Sequence, residues 1–162
     1  MRYLSGYPPH ILDQVRSLLE GDRLGEYLRR KYPRPHELGS SRALRDFTLD
    51  LKNRYLRQSR PLSKVVYDDR IQGFEQALGQ HAFVSRVQGS KLKARNEIRI
   101  ASVFKQAPLD LLRVVVVHEL AHLKEKEHNK AFYRLCEHME PDYHQLEFDM
   151  RLFLTHVEQD GD

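Results

Sequence analysis

The sequence predicts an α+β fold in which helices at both ends flank a small, mostly antiparallel sheet. Residues 10–57 place apolar side chains three or four positions apart, which is the period of amphipathic helices. Residues 63–104 instead contain short β-branched runs that partly alternate and are separated by glycines, a pattern typical of strands. Helical spacing returns after residue 108.

Two helical stretches are predicted near the N-terminus. The first covers residues 10–31 and ends before Pro33 and Pro35, because a residue that precedes proline is pushed out of the helical conformation. The second covers residues 41–57, with Ser40 or Ser41 available to cap its first turn.

Three strands are predicted in the middle of the chain, over residues 64–67, 81–87 and 97–101. Gly73 and Gly79 separate the first strand from the second. The last two strands are expected to form a hairpin around residues 89–90.

The third helical segment begins after Pro108, with Asp110 in its first turn. Four consecutive valines, residues 114–117, would by themselves favour a strand, but the motif that follows them requires a helix. Further helices are expected over residues 129–139 and 142–155.

Length and composition limit the class of protein. The 162 residues are 40% hydrophobic and 31% charged, which suffices for one core. We therefore expect a single domain over 1–162. Its helical part covers 1–60, and the sheet and metal-site helices cover 61–157. The single cysteine, Cys136, excludes an internal disulfide. No apolar signal segment or membrane-spanning run is visible, and we expect a cytoplasmic protein without a membrane partner.

Histidine is unevenly distributed, since six of the nine lie in the last 45 residues. Residues 118–122 have the sequence His-Glu-Leu-Ala-His. On a helix, His118 and His122 share one face and can bind one metal ion, while Glu119 lies beside it as a general base for a bound water. The motif therefore predicts a catalytic metal site.

A third ligand is needed, and His128 lies ten residues after His118, the spacing found in some metalloproteases. On an uninterrupted helix His128 would lie about 9 Å along the axis and about 120° around it from His122. The helix must therefore break near residues 124–127 if His128 is a ligand. The reserve candidates are Glu137, His138, Glu140, His144 and Glu147.

Three protein ligands would leave one position for water, whose proton Glu119 would accept during attack on a carbonyl or phosphoryl centre. Tyr143, His144 and Arg151 are candidate donors to the developing negative charge. Cys136 falls in an apolar helical pattern and is expected to be a buried thiol.

These segments resemble the YgjP-like metallopeptidase family, which is related to the SprT-like and WLM zinc peptidases. The segments that carry the resemblance are Val115–Lys124, His128–Phe132 and Met139–His144, and residues 62–65, 85–89 and 96–100 are also similar to the family. The resemblance implies a small zincin-like fold with a short sheet packed on the active-site helix. It also implies a Zn²⁺ ion held by His118, His122 and His128, with Glu119 as the catalytic base.

The substrate stays open at this point. The resemblance favours a metallopeptidase that acts on a peptide or protein, and it also includes an alternative, a nucleoside triphosphate pyrophosphatase that acts on UTP. A basic segment could hold a triphosphate. It consists of Arg86, Lys91, Lys93, Arg95 and Arg99. A third possibility is a nucleic-acid-associated protein with a structural metal, although the net charge of +4 is modest.

Overall fold

The computed structural model of the chain describes residues 1–71, 81–88 and 91–160, with the backbone alone described at 81–88 and 91–95. Within these residues the helices are α1 (Pro9–Leu19), α2 (Arg23–Lys31), α3 (Ser41–Tyr55), α4 (Leu109–Ala121), α5 (Lys130–Met139) and α6 (Tyr143–Asp160). The strands are β1 (Lys64–Asp68), β2 (His81–Gln88) and β3 (Lys91–Ala101). Short 3₁₀ turns cover Arg2–Leu4, Glu20–Asp22 and Ser102–Gln106.

The helix predicted over residues 10–31 is divided into α1 and α2. Gly21 and Asp22 both take left-handed backbone conformations, with φ of 64° and 58°. Glycine adopts this conformation at little cost, so the chain can turn between two apolar helical faces that share one periodic pattern. The prediction of a continuous helix was wrong at this point.

The α+β class is confirmed, and the sheet has the strand order β1-β3-β2. β2 and β3 form the predicted antiparallel pair, with His81 opposite Ile98 and Gln88 opposite Lys91. β1 pairs with β3 in parallel, so the sheet is mixed. The predicted turn at residues 89–90 and the glycines at 73 and 79 lie outside the described residues.

Helix α4 lies at the centre of the core. Its residues 114–117, the valine run, are buried, and so are Leu111, Leu112 and Leu120. The helix packs against α3, α5, α6 and β3. Burial of the four valines outweighs their weak helix propensity. A single domain over residues 1–162 stays a prediction, and this shared core supports it.

A buried carboxylate joins the N-terminal helices to α6. Asp149 is 0% exposed and accepts hydrogen bonds from the hydroxyls of Tyr27, at 3.0 Å, and Tyr32. The ammonium of Lys31 lies 2.8 Å from the same carboxylate.

None of the described helices is long and apolar enough to cross a membrane.

We expect Asp149→Ala to lower the free energy of unfolding by about 3 kcal/mol, because it leaves two tyrosine hydroxyls and an ammonium group without their buried partner. Urea denaturation measures the change. Asp50→Ala is the matched control and should stay within about 0.5 kcal/mol of the wild type, since Asp50 is exposed and pairs with Arg54 at 3.5 Å on one helix. Equal midpoints for the two variants would contradict this role for Asp149.

Candidate metal centre

The His-Glu-x-x-His motif lies where α4 ends. His118 and Glu119 lie in the last turn, and His122 is the C-cap residue just beyond Ala121. The Nδ1 atom of His122 donates a hydrogen bond to the carbonyl oxygen of Glu125, at 2.8 Å. This bond holds the turn that ends the helix and makes Nε2 the acceptor nitrogen of a neutral ring. The predicted break before His128 is confirmed, and it begins at His122.

The chain then returns to the end of α4 through the start of α5. The side chain of Asn129 caps α5 by accepting from the backbone N–H of Phe132, at 2.9 Å. His128, the residue before this cap, has its Nε2 atom 3.0 Å from Nε2 of His122. One nitrogen each of His118, His122 and His128 lies within 4.8 Å of the other two.

A tyrosine from α6 orients the first histidine. The hydroxyl of Tyr143 lies 2.8 Å from Nδ1 of His118, and Tyr143 is buried. Burial raises the pKa of Tyr143 far above its ordinary value, which keeps the hydroxyl protonated. Sequence analysis offered Tyr143 as a donor to the reacting centre, whereas the structure directs its hydroxyl to a histidine nitrogen.

The ring of Phe132 packs against all three imidazole rings. Its centroid lies 5.0, 4.5 and 4.8 Å from the centroids of His118, His122 and His128, and the side chain is fully buried. Sequence analysis placed Phe132 within the helix predicted over residues 129–139 and missed this contact. Its position four residues after His128, one helical turn on, is the signal that could have indicated it.

Glu119 is the one described residue whose buried side-chain oxygens have no hydrogen-bond partner. It is 0% exposed, and burial raises the pKa of its carboxyl group well above the ordinary value. A buried carboxylate without a partner is costly unless a cation or a polar ligand lies beside it. Burial also lowers the pKa of His122, which favours the neutral imidazole that metals bind.

The donor set therefore fits a metal ion. Bond lengths of about 2.0–2.1 Å to zinc in tetrahedral geometry correspond to nitrogens about 3.3 Å apart, and the clustered imidazoles approach that spacing. The hydrogen bonds at His118 and His122 each leave one ring nitrogen for the ion. The three histidines could hold a metal.

The reserve ligand candidates have other partners. These are His144 with Glu137 at 2.6 Å, Glu140 with Arg113 at 3.2 Å, Glu147 with Arg151 at 3.1 Å, and the ring of His138 with that of Tyr55 at 5.4 Å. None of them joins the three clustered nitrogens among the described residues. Arg151, also a candidate donor to the reacting centre, donates to the carbonyl of Tyr3 at 2.9 Å.

Cys136 is a buried thiol, as predicted, and burial raises its pKa to about 12. A second group of donor atoms lies at the surface and consists of Asp22, His156 and Asp160. The two nitrogens of His156 face different carboxylates there, at 3.9 and 3.3 Å, as in an ordinary ion-pair cluster.

The model of the YgjP-like metallopeptidase domain matches residues 83–151, which include the three histidines and Glu119. A UTP pyrophosphatase from Escherichia coli (strain K12) is 58% identical over 157 residues, which are 97% of this chain and 94% of that protein. The chain belongs to the YgjP-like family. Both descriptions are of hydrolases, and this YgjP-like protein is a hydrolase. No solved structure matches it significantly.

Proposed function

We propose that this YgjP-like protein is a Zn²⁺-dependent pyrophosphatase that hydrolyses UTP. In this proposal His118, His122 and His128 are the metal ligands and Glu119 is the general base. The observation that carries it is the buried Glu119 carboxylate, which has no partner in the described part of the chain and follows directly on one of three clustered histidines. The UTP pyrophosphatase that is 58% identical supports the choice of substrate.

The metal, when bound, would supply a Lewis acid that lowers the pKa of water and draws charge from a phosphoryl oxygen. The Nδ1 contacts of His118 with Tyr143 and of His122 with Glu125 hold both rings in the orientation a metal would need. Phe132 keeps the opposite side of the imidazoles dry.

Glu119 would accept the proton that water loses as its oxygen attacks the α-phosphorus of UTP. The bond between this phosphorus and the bridging oxygen breaks, and UMP and pyrophosphate leave. Because burial raises the pKa of this carboxyl group, it would hold a proton accepted from water well enough to pass it to the leaving group. Its position directly after His118 on a rigid, buried helix fixes it beside the site.

The second candidate function is peptide hydrolysis, which the name of the matching family model supports. β2 is an edge of the sheet among the described strands, and an extended peptide can pair with such an edge. The same base and ligands would serve attack on a carbonyl. The UTP pyrophosphatase similarity covers more of the chain, and we therefore place UTP first.

The basic segment of the hairpin gives little support to a nucleic-acid partner. Arg99 pairs with Asp68 and Glu97, at 3.0 Å each, so carboxylates of the same sheet occupy its guanidinium. The side chains of the other four basic residues of this segment lie outside the description. Association with nucleic acid stays a prediction.

We expect the zinc-loaded protein to release pyrophosphate from UTP, chelation to abolish the reaction and added zinc to restore it. Glu119→Gln should lower kcat by about 10²- to 10⁴-fold, because the amide cannot accept the proton. Glu127→Gln, a change at an exposed carboxylate of the same segment, is the matched control and should keep full activity. Coupled pyrophosphate detection measures the rates. Intact UTP together with Glu119-dependent cleavage of an unfolded protein would favour the peptidase instead.

Tyr143→Phe should weaken zinc binding by about 10- to 100-fold, because it removes the oxygen that bonds Nδ1 of His118. Competition with a zinc chelator measures the affinity. Tyr133→Phe removes a hydroxyl from a half-buried ring nearby and should leave the affinity unchanged. Equal affinity in Tyr143→Phe and the wild type would show that this hydrogen bond does not position the ligand.

A further inference from the structure

An open groove of about 570 Å³ begins at the histidine cluster and follows α5. It is lined by His128, Lys130, Tyr133, Arg134, Glu137 and His144, together with the cap residue of α5. Its volume falls in the range of small-molecule sites, about 300–1,000 Å³. Because His128, a proposed metal ligand, is part of its lining, a molecule in the groove would lie beside the proposed metal centre.

Two cations line this groove, and the one carboxylate in its lining is not paired with either of them. Lys130 and Arg134 are one helical turn apart on α5, and both are exposed. Neither has an ion pair or side-chain hydrogen bond within the described part of the chain. The carboxylate of Glu137 lies in the same groove but is held by Nε2 of His144, at 2.6 Å.

The position of Lys130 is itself unfavourable for the helix. It is the first residue of α5, and the first turn of this helix contains no acidic side chain. A cation at the positive end of a helix dipole costs stability, on the order of 0.3–1 kcal/mol at a surface position. A bound anion would reverse this cost, because Lys130, Arg134 and the helix dipole would then all attract it.

We propose that Lys130 and Arg134 bind the phosphate chain of a nucleoside triphosphate, which makes the groove along α5 the phosphate subsite of the enzyme. The inference rests on the proposed function and deepens it. An ammonium and a guanidinium one turn apart suit several phosphate oxygens along one chain. A peptide backbone carries no comparable charge, so this pair favours the nucleotide over the peptide substrate.

This subsite differs from the one that the sequence suggests, the basic hairpin. Arg99 of that segment is occupied by Asp68 and Glu97. Sequence analysis did not single out Lys130 and Arg134, because the sequence does not show that they share a groove with His128. The structure places the two cations in one groove with His128.

The test is equilibrium binding of UTP, inorganic tripolyphosphate and uridine to zinc-loaded protein by calorimetry. It uses Glu119→Gln, so that UTP stays intact, with and without Lys130→Ala plus Arg134→Ala. We expect the double change to weaken UTP and tripolyphosphate binding by about tenfold or more, and to leave uridine binding and the zinc content unchanged. Arg45→Ala, at an exposed arginine of α3 outside this groove, is the matched control and should bind UTP like its parent.

Unchanged UTP affinity in the double variant, or no UTP binding by its parent, would overturn the subsite. Hydrolysis is measured separately, with Glu119 intact. If UTP is cleaved with the same KM in the double variant and in the wild type, the subsite is refuted and the proposed function stands. Charge-dependent binding of UTP without any cleavage by the intact enzyme would refute the proposed function and support the subsite.

Discussion

The hydrogen bond from Nδ1 of His122 to the carbonyl of Glu125 is the contact on which the site depends. It ends α4 at a proposed metal ligand and makes Nε2 the acceptor nitrogen of the neutral ring. Without the turn, His128 would lie along the helix axis, away from the first two imidazoles. α5 then begins after the Asn129 cap, and this start places the ring of Phe132 against all three imidazoles. One local turn thus creates both the ligand set and its apolar support.

Burial and charge have different roles in the proposed site. The valine-rich helix carries Glu119 into the core, where its carboxylate has no hydrogen-bond partner among the described residues and its pKa is raised. A metal and a base can act on either a carbonyl or a phosphoryl group, so this inner part does not select the substrate. The substrate must therefore be selected by residues around this inner part. Among them, the cations Lys130 and Arg134 on α5 favour phosphate.

The sequence was sufficient for features that depend on local spacing. The His-Glu-x-x-His spacing, the break before His128 and the β2–β3 pairing each follow from short-range periodicity and turn chemistry, and the structure contains them. The role of Tyr143 could not be predicted, because it depends on how α6 packs against α4, 25 residues away along the chain. The turn at Gly21 was hidden for another reason, since the apolar period continues across it.

X-ray absorption at the zinc edge of the loaded protein tests the central claim most directly. We predict three imidazole nitrogens at about 2.0–2.1 Å, completed by oxygen, with the imidazole count falling to two in His128→Ala. A sulfur ligand, or two imidazoles in the wild type and no change in His128→Ala, would contradict the three-histidine centre.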